Sequence, residues 1–332
     1  MRTRNYARFA AIGIASLAVV CSLASGAARA DDGPYPAKPV RIVVPASAGG
    51  ASDFIVRPMA TRLGELLGKP FVVDNRPGAT GAIGMQAVSA AKADGYTLVF
   101  GTISNFVTNV VVNPAIPYDP VKDFAPVSIF FRSPFLLSVP VGSSTQNLQA
   151  FLERARANPG KVSYASAGNG SFGHLLTEHF SSVAKVKLLH VPYKGSAPAM
   201  TDVVSGQVDS FFDSIQSSLP FAKSHKLRVL AIGSPTRSPA LPEVPTLTEL
   251  GFGQVDGAAW WGLFAPAGTP PEIVNSLHRA IETALGDPKL RETLASTGAN
   301  IEASSPADSA RQLASDLDKY RALARTVSIA AN

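Results

Sequence analysis

From Val40 the chain alternates short apolar runs with longer amphipathic segments, and Gly, Pro or Asn marks each junction. That alternation predicts βα units around a mostly parallel sheet. Residues 40–44, Val-Arg-Ile-Val-Val, predict a first strand buried on both faces. A small-residue loop over 45–50 then leads into a helix over 52–67. Strands follow at 71–74 and 96–100, separated by the Asn75-Arg76-Pro77-Gly78 turn, a helix over 81–91 and an Asp94-Gly95 turn. Beyond a proline-studded loop, a strand at 135–139 opens a second series. It comprises helices at 148–157, 173–183 and 197–205, and strands at 162–165, 188–191, 208–212 and 227–232. Residues 240–257 read as loop, 260–265 as a strand and 271–285 as a helix, with two more helices to the C-terminus.

The pattern leaves one sheet near Arg132, builds another and returns near Val255. Two such crossings predict a two-lobed α/β protein, with the crossover strands as hinge. Its lobes are residues 31–132 plus 256–332, and residues 133–255. Ligands of open α/β sheets sit beyond the carboxyl ends of the strands, which here face each other across a cleft.

Residues 1–30 differ from the rest. Arg2, Arg4 and Arg8 precede an apolar run over 9–23, and Ala28-Arg29-Ala30 has the small residues of a cleavage site. This reads as a secretory signal cut after Ala30, too short and too rich in small residues for a spanning helix. Val20 before Cys21 argues against a lipoprotein. Cys21 is the only cysteine, so the mature chain would hold no disulfide and no thiol chemistry. Removing residues 1–30 takes away four arginines and no acid, which lowers the net charge from +6 to +2. Such a balance does not suit nucleic acid. The expected product is a periplasmic protein.

Two loops are candidates for gripping an anion. In the first, Ala46, Ser47, Ala48, Gly49, Gly50 and Ser52 join a strand to a helix whose N-terminal amides and dipole favour negative charge. Taken alone, a structural turn accounts for these glycines equally well, and Asp53 at the helix start is more often a cap. The second loop, Ser166, Ala167, Gly168, Asn169, Gly170 and Ser171, occupies the same position in the other lobe. Thr102, Ser104 and Asn105, just past the third strand, are wall candidates or merely a polar strand end. His174 either faces the cleft or bonds a neighbouring loop, the commoner role for such a histidine. Lys194 and Asp213 each follow a strand of the second lobe, at the edge where ligands bind.

Three other chemistries are not supported. The spacing of Gly78, Gly81 and Gly84 is not the dinucleotide fingerprint, and reads as a turn and tight helix packing. His174 and His179 stand five apart, about 140° around a helix at ~100° per residue, and do not share a metal. Neither Ser166 nor Ser171 has the flanking glycines of a nucleophile elbow. No cofactor and no metal are expected.

Blocks in order along nearly the whole mature chain carry a resemblance. They include Lys38-Pro39-Val40-Arg41-Ile42-Val43-Val44-Pro45, Ala48-Gly49-Gly50-Ala51-Ser52-Asp53 with Arg57, and Val73-Asp74-Asn75-Arg76-Pro77-Gly78. Further on stand Tyr164-Ala165-Ser166-Ala167-Gly168-Asn169-Gly170-Ser171, His190-Val191-Pro192-Tyr193-Lys194-Gly195, Phe212-Asp213 and Ala265-Pro266-Ala267-Gly268-Thr269-Pro270. The chain resembles the Bug family, the substrate-binding proteins of tripartite tricarboxylate transporters, which implies an α/β two-lobed periplasmic binding protein fold (type II), each lobe a mostly parallel sheet flanked by helices. The resemblance implies that loops from both lobes hold a ligand carboxylate through backbone amides, hydroxyls and ordered waters. It implies a monomer that passes its ligand to membrane subunits and catalyses no reaction, and its motifs include Lys194 and Asp213. One departure is notable: the family usually has an aromatic residue and a proline where Ala46 and Ser47 stand, which implies a wider pocket. An extracytoplasmic sensor for a membrane kinase, or a periplasmic enzyme acting on a carboxylate, are the alternatives.

Overall fold

The computed structural model describes residues 35–326, so the signal reading of residues 1–30 lies outside the described residues. From Lys38 onward the chain clusters as one unit, to which the following account refers.

Strand β1 (Val40–Val44) is buried at every position but Arg41, as its β-branched run demands. Helix α1 (Ala51–Leu67) follows, ended by Gly68 in the left-handed conformation with its N–H on the Gly64 carbonyl. Then come β2 (Phe71–Asn75), α2 (Ala82–Ser89) and β3 (Thr97–Thr102). β1 pairs in parallel with both β2 and β3.

The region read as a proline-studded loop contains two helical elements and most of a strand. A π-helical turn over Ser104–Thr108 runs into α3 (Asn109–Val112), and a seventeen-residue strand, β4 (Phe124–Pro140), follows. Pro126 and Pro134 made this stretch look irregular, because proline cannot donate to a ladder. The fold accommodates them at special places: the register shifts between Pro126 and Ser128, and Pro134 is the last residue of β4 paired with β9.

β4 ties two sets of strands together. Phe124 to Pro134 pair antiparallel with β9 (Ala258–Pro266), which in turn pairs with β3. From Phe135 onward β4 pairs instead with β7 (Ser210–Ser214) and β8 (Leu227–Ile232). The second set continues in parallel through β5 (Ser163–Ser166) and β6 (Leu189–Pro192), giving the strand order β2-β1-β3-β9-β4-β7-β5-β6. The short β10 (Asn300–Ile301) and β8 pair with β4 off this path. The sheet is therefore mixed: its βα units are parallel, whereas both long crossover strands run antiparallel to their neighbours.

The helices of the second set are α4 (Leu148–Ala157), α5 (Phe172–Ala184), α6 (Ser196–Val204) and α7 (Ile215–Lys223). α7 is absent from the sequence reading, where Pro220 and a Ser-rich start concealed it. In the structure the Ser214 side chain caps its N-terminus by accepting from the Ser217 amide. The chain closes with α8 (Pro271–Leu285), α9 (Pro288–Ala295) and α10 (Pro306–Thr326). α8 buries Val274, Leu277, Ile281, Ala284 and Leu285 on one face, the spacing of an amphipathic helix.

An aromatic cluster fixes the π-helical turn. Phe106 stacks on Phe264 at 3.9 Å and meets Phe124 edge-on at 5.2 Å. Gly101 makes room for it: a Cβ there would lie 2.4 Å from the Phe106 ring. Anchoring Phe106 places Ser104 and Asn105, its neighbours, at the carboxyl end of β3.

Candidate functional site

A cavity of about 820 Å³ lies at the carboxyl ends of the strands. Of the candidate residues, Ala46, Ser47, Gly50, Ser52, Thr102 and Ser104 line it, as do Ala167, Gly168, Asn169, Ser171, Lys194 and Asp213. Ala48, Gly49, Asp53, Ser166, Gly170 and His174 are not on its wall, and most of these hold the wall from behind.

Asp53 is buried and accepts hydrogen bonds from the Gly49 amide at 2.5 Å, Asn75 Nδ2 at 3.0 Å and Arg57 Nη2 at 3.3 Å. Asn75 Nδ2 also donates to the Ala46 carbonyl at 3.2 Å. Asp53 therefore shapes the first loop in the way a capping acid does, with its oxygens turned toward protein donors.

Ser166 is fully buried. Its Oγ accepts from the Gly168 amide at 3.1 Å and lies 2.6 Å from His190 Nε2. His174 accepts the Gly170 amide on Nδ1 at 3.2 Å, so the ring is neutral with its proton on Nε2. The rings of His174 and His190 stack at 4.0 Å, and Tyr164 stacks on His190 at 4.8 Å. Burial pushes His174 down to about 3, helped by the neighbouring His190, and burial lowers His190 to about 4. A serine beside a histidine suggests a nucleophile, but Ser166 does not line the cavity and its hydroxyl is engaged with the Gly168 backbone. The pair braces the second loop.

The turn at Gly78 to Gly81 also lines the cavity, a role not foreseen from its spacing. All four of its residues have positive φ, including Ala79 and Thr80. That strain is held by Asn109 Nδ2, which donates to the Thr80 carbonyl at 3.3 Å. The same turn bonds the second loop, Thr80 Oγ1 donating to the Asn169 carbonyl at 2.9 Å. Two more bonds tie the π-helical turn to the second loop and the start of α5: Thr108 Oγ1 donates to the Gly170 carbonyl at 2.7 Å, and the Phe172 amide donates to Ser104 Oγ at 3.0 Å. Thr80 and Thr108 carried no sequence signal, since their partners are 62 or more positions away.

The electrostatics of the cavity come mostly from the backbone. The first turns of α1 (Gly50, Ala51, Ser52), α5 (Ser171, Phe172, Gly173) and α6 (Gly195, Ser196, Ala197) all line it. Neither α1 nor α6 has a side-chain cap. Converging helix N-termini present amides and partial positive charge to one volume, an arrangement suited to an anion. Lys194, exposed at the rim, adds a cation. Phe135, Phe172, Phe212, Tyr193 and Trp261 supply apolar wall that the sequence reading did not assign. Asp213, at the end of β7, is buried, and Ser196 Oγ donates to its Oδ1 at 3.0 Å. Burial pushes its carboxyl up to about 7, opposed by the Ser214 amide and the Ser196 and Ser217 hydroxyls.

The model of the tripartite tricarboxylate transporter family receptor matches residues 55–329. The chain belongs to this family. It is 34% identical to Protein BugT of Bordetella pertussis over 313 residues, 94% of this chain and 96% of that one. Among solved structures it is similar to Rpa4515 of R. palustris with adipate, at a TM-score of 0.86 and 36% identity, covering 89% of this chain and 99% of that one. It is likewise similar to the periplasmic binding protein BugD, at a TM-score of 0.84 and 31% identity, covering 89% of this chain and 99% of that one. The family is one of periplasmic solute-binding receptors, and the α/β architecture described above is its fold.

Proposed function

We propose that this receptor captures a small carboxylate-bearing ligand between two lobes, residues 31–132 with 256–332 and residues 133–255, and delivers it to the membrane subunits of a tripartite transporter. The observation that carries the reading is the convergence of the α1, α5 and α6 N-termini on one apolar-walled cavity. Adipate in the similar structure of Rpa4515 supports the carboxylate. The ligand carboxylate sits against Ser47, Gly50 and Ser52 on one side and Ala167, Gly168 and Asn169 on the other, with Ala46 and Ser47 leaving the pocket wide.

Closure turns on β4 where it changes partners, at Pro134 and Phe135. A ligand that touches both loops favours the closed form by the contacts it makes only there. The hydrogen bonds of Thr80, Ser104 and Thr108 add to that form. The protein works as an exported monomer, freed of residues 1–30, and binds without turning its ligand over.

The test is thermal unfolding of residues 31–332 against a panel of mono-, di- and tricarboxylates with matched neutral amides. A carboxylate at 100 times its Kd adds about 2.7 kcal/mol, an upward shift of several degrees, and is recovered unchanged. A largest shift from a ligand with no carboxylate would overturn the anion reading, and a product in the recovered ligand would overturn the binding role.

A further inference from the structure

Asp213 is an unexpected group for a site that attracts anions. It lines the cavity, is 4% exposed, and its Oδ2 is buried with no hydrogen-bond partner. Its other oxygen is served, because Ser196 Oγ donates to Oδ1. A serine donor on one oxygen and nothing on the other is the pattern of a carboxylic acid whose carbonyl oxygen is satisfied and whose hydroxyl awaits an acceptor.

The charges around it point the same way. The α6 N-terminus contributes Ser196, β7 contributes Asp213 itself and α7 contributes the uncharged Ser217, while β4 and α5 face the cavity with Phe135 and Phe172. Lys194, in the β6–α6 connection, is the one other residue of the wall with an ionisable group besides Tyr193, and no ion pair joins it to Asp213 among the described residues. Tyr193 is engaged elsewhere, donating to Asp202 at 2.6 Å. An anionic carboxylate buried without a cation beside a bound anion would be repelled at close range. A neutral acid there would instead donate a hydrogen bond.

Building on the carboxylate reading above, we propose that Asp213 acts as a neutral acid that donates its Oδ2 proton to a second carboxylate of the ligand, so that this receptor selects dicarboxylates and takes up a proton as it binds them. The bond formed is Oδ2–H to a ligand oxygen, and the proton comes from solvent. Burial already raises the Asp213 carboxyl toward neutrality, and a second carboxylate raises it further. The helix N-termini hold the first carboxylate and Asp213 the second, with the aromatic wall around the chain between them.

Adipate is the probe, with hexanoate as its one-carboxylate control, by calorimetry of residues 31–332 between pH 6 and 8.5 in buffers of different ionisation enthalpy. Both carboxylates of adipate are ionised through most of this window. Expected is an uptake approaching one proton above pH 7.5 and an affinity for adipate that falls close to tenfold per pH unit there. Hexanoate shows neither. Asp213→Asn keeps a donor and cannot ionise, so its affinity for adipate is independent of pH and exceeds that of the wild type at pH 8.5, whereas Asp213→Leu loses the preference for adipate over hexanoate. Adipate binding with no proton uptake, or a loss in Asp213→Asn as large at pH 8.5 as at pH 6, overturns the Asp213 role and leaves the carboxylate reading standing. Failure of every carboxylate to bind at any pH overturns both.

Discussion

Acidification from pH 7 to pH 5 pits His174 and His190 against Asp213, and the structure gives the size of each side. A histidine whose folded pKa is depressed takes its proton more readily when unfolded, so its contribution to stability falls as pH drops below about 6.5, the unfolded value. His174 and His190, at about 3 and about 4 in the fold, remain neutral at pH 5. Each therefore costs about 2 kcal/mol at pH 5 relative to pH 7, or about 4 kcal/mol for the pair. Protonating His174 would also set Nδ1–H against the Gly170 amide that now donates to it. Asp213 works in the opposite direction. Its folded pKa, about 7, lies above the unfolded carboxylate value, so the penalty it carries at pH 7 is relieved by acid, by about 2 kcal/mol at pH 5. These three groups together should cost the wild type about 2 kcal/mol between these pH values, and His179, which burial also lowers, adds to that loss. Asp213→Asn, which removes only the relief, should lose about 2 kcal/mol more than the wild type. Urea denaturation at both pH values, followed by the fluorescence of Trp260 and Trp261, measures the difference. A variant that loses no more than the wild type would refute the reasoning about Asp213. Equal acid loss in a His174→Asn, His190→Asn double variant would refute it for the histidines.

Three other substitutions test how the site is built. Gly101→Ala drives a Cβ to within 2.4 Å of Phe106; chemical denaturation should show a loss of about 1–3 kcal/mol, and adipate should bind more weakly because Ser104 moves with that ring. Thr108→Val keeps the shape but removes the bond to the Gly170 carbonyl, so calorimetry should show affinity reduced about fivefold, the worth of a bond of about 1 kcal/mol; unchanged affinity would mean that this bond does not favour the closed form. Trp260→Phe removes the Nε1 donor at 2.8 Å from buried Asp316 Oδ2, leaving that oxygen only Gln312; a stability loss of about 1–3 kcal/mol is expected in urea, with ligand affinity preserved.

The local elements were legible because their causes are local. The β-branched run at Val40–Val44, the amphipathic spacing of Pro271–Leu285 and the glycine-bearing loops after β1 and β5 each announce themselves within a few residues. The strand expected at 135–139 is the end of β4, and its longer first part, 124–134, was hidden for the reason that makes it useful. Its prolines are tolerated at a bulge and at the point where it exchanges β9 for β7 and β8, and neither place exists until those strands are present. The helix at 215–223 was hidden by Pro220, which lies beyond the first turn and says nothing of the Ser214 cap.

For the site, the residue pattern told which loops join strands to helices, and so that Ser47, Ser52, Gly168 and Asn169 would gather at one edge. Tertiary structure alone decided what each residue does there. Asp53 and Ser166 turned their oxygens toward amides of their own loops, while Asp213 kept one oxygen buried and unpartnered. Thr80 and Thr108 acquired partners in the second loop, Asn169 and Gly170. The physical reason is that hydrogen bonds and burial depend on distances set by packing: adjacency in the chain fixes where a side chain starts, and only the folded neighbours fix what it meets.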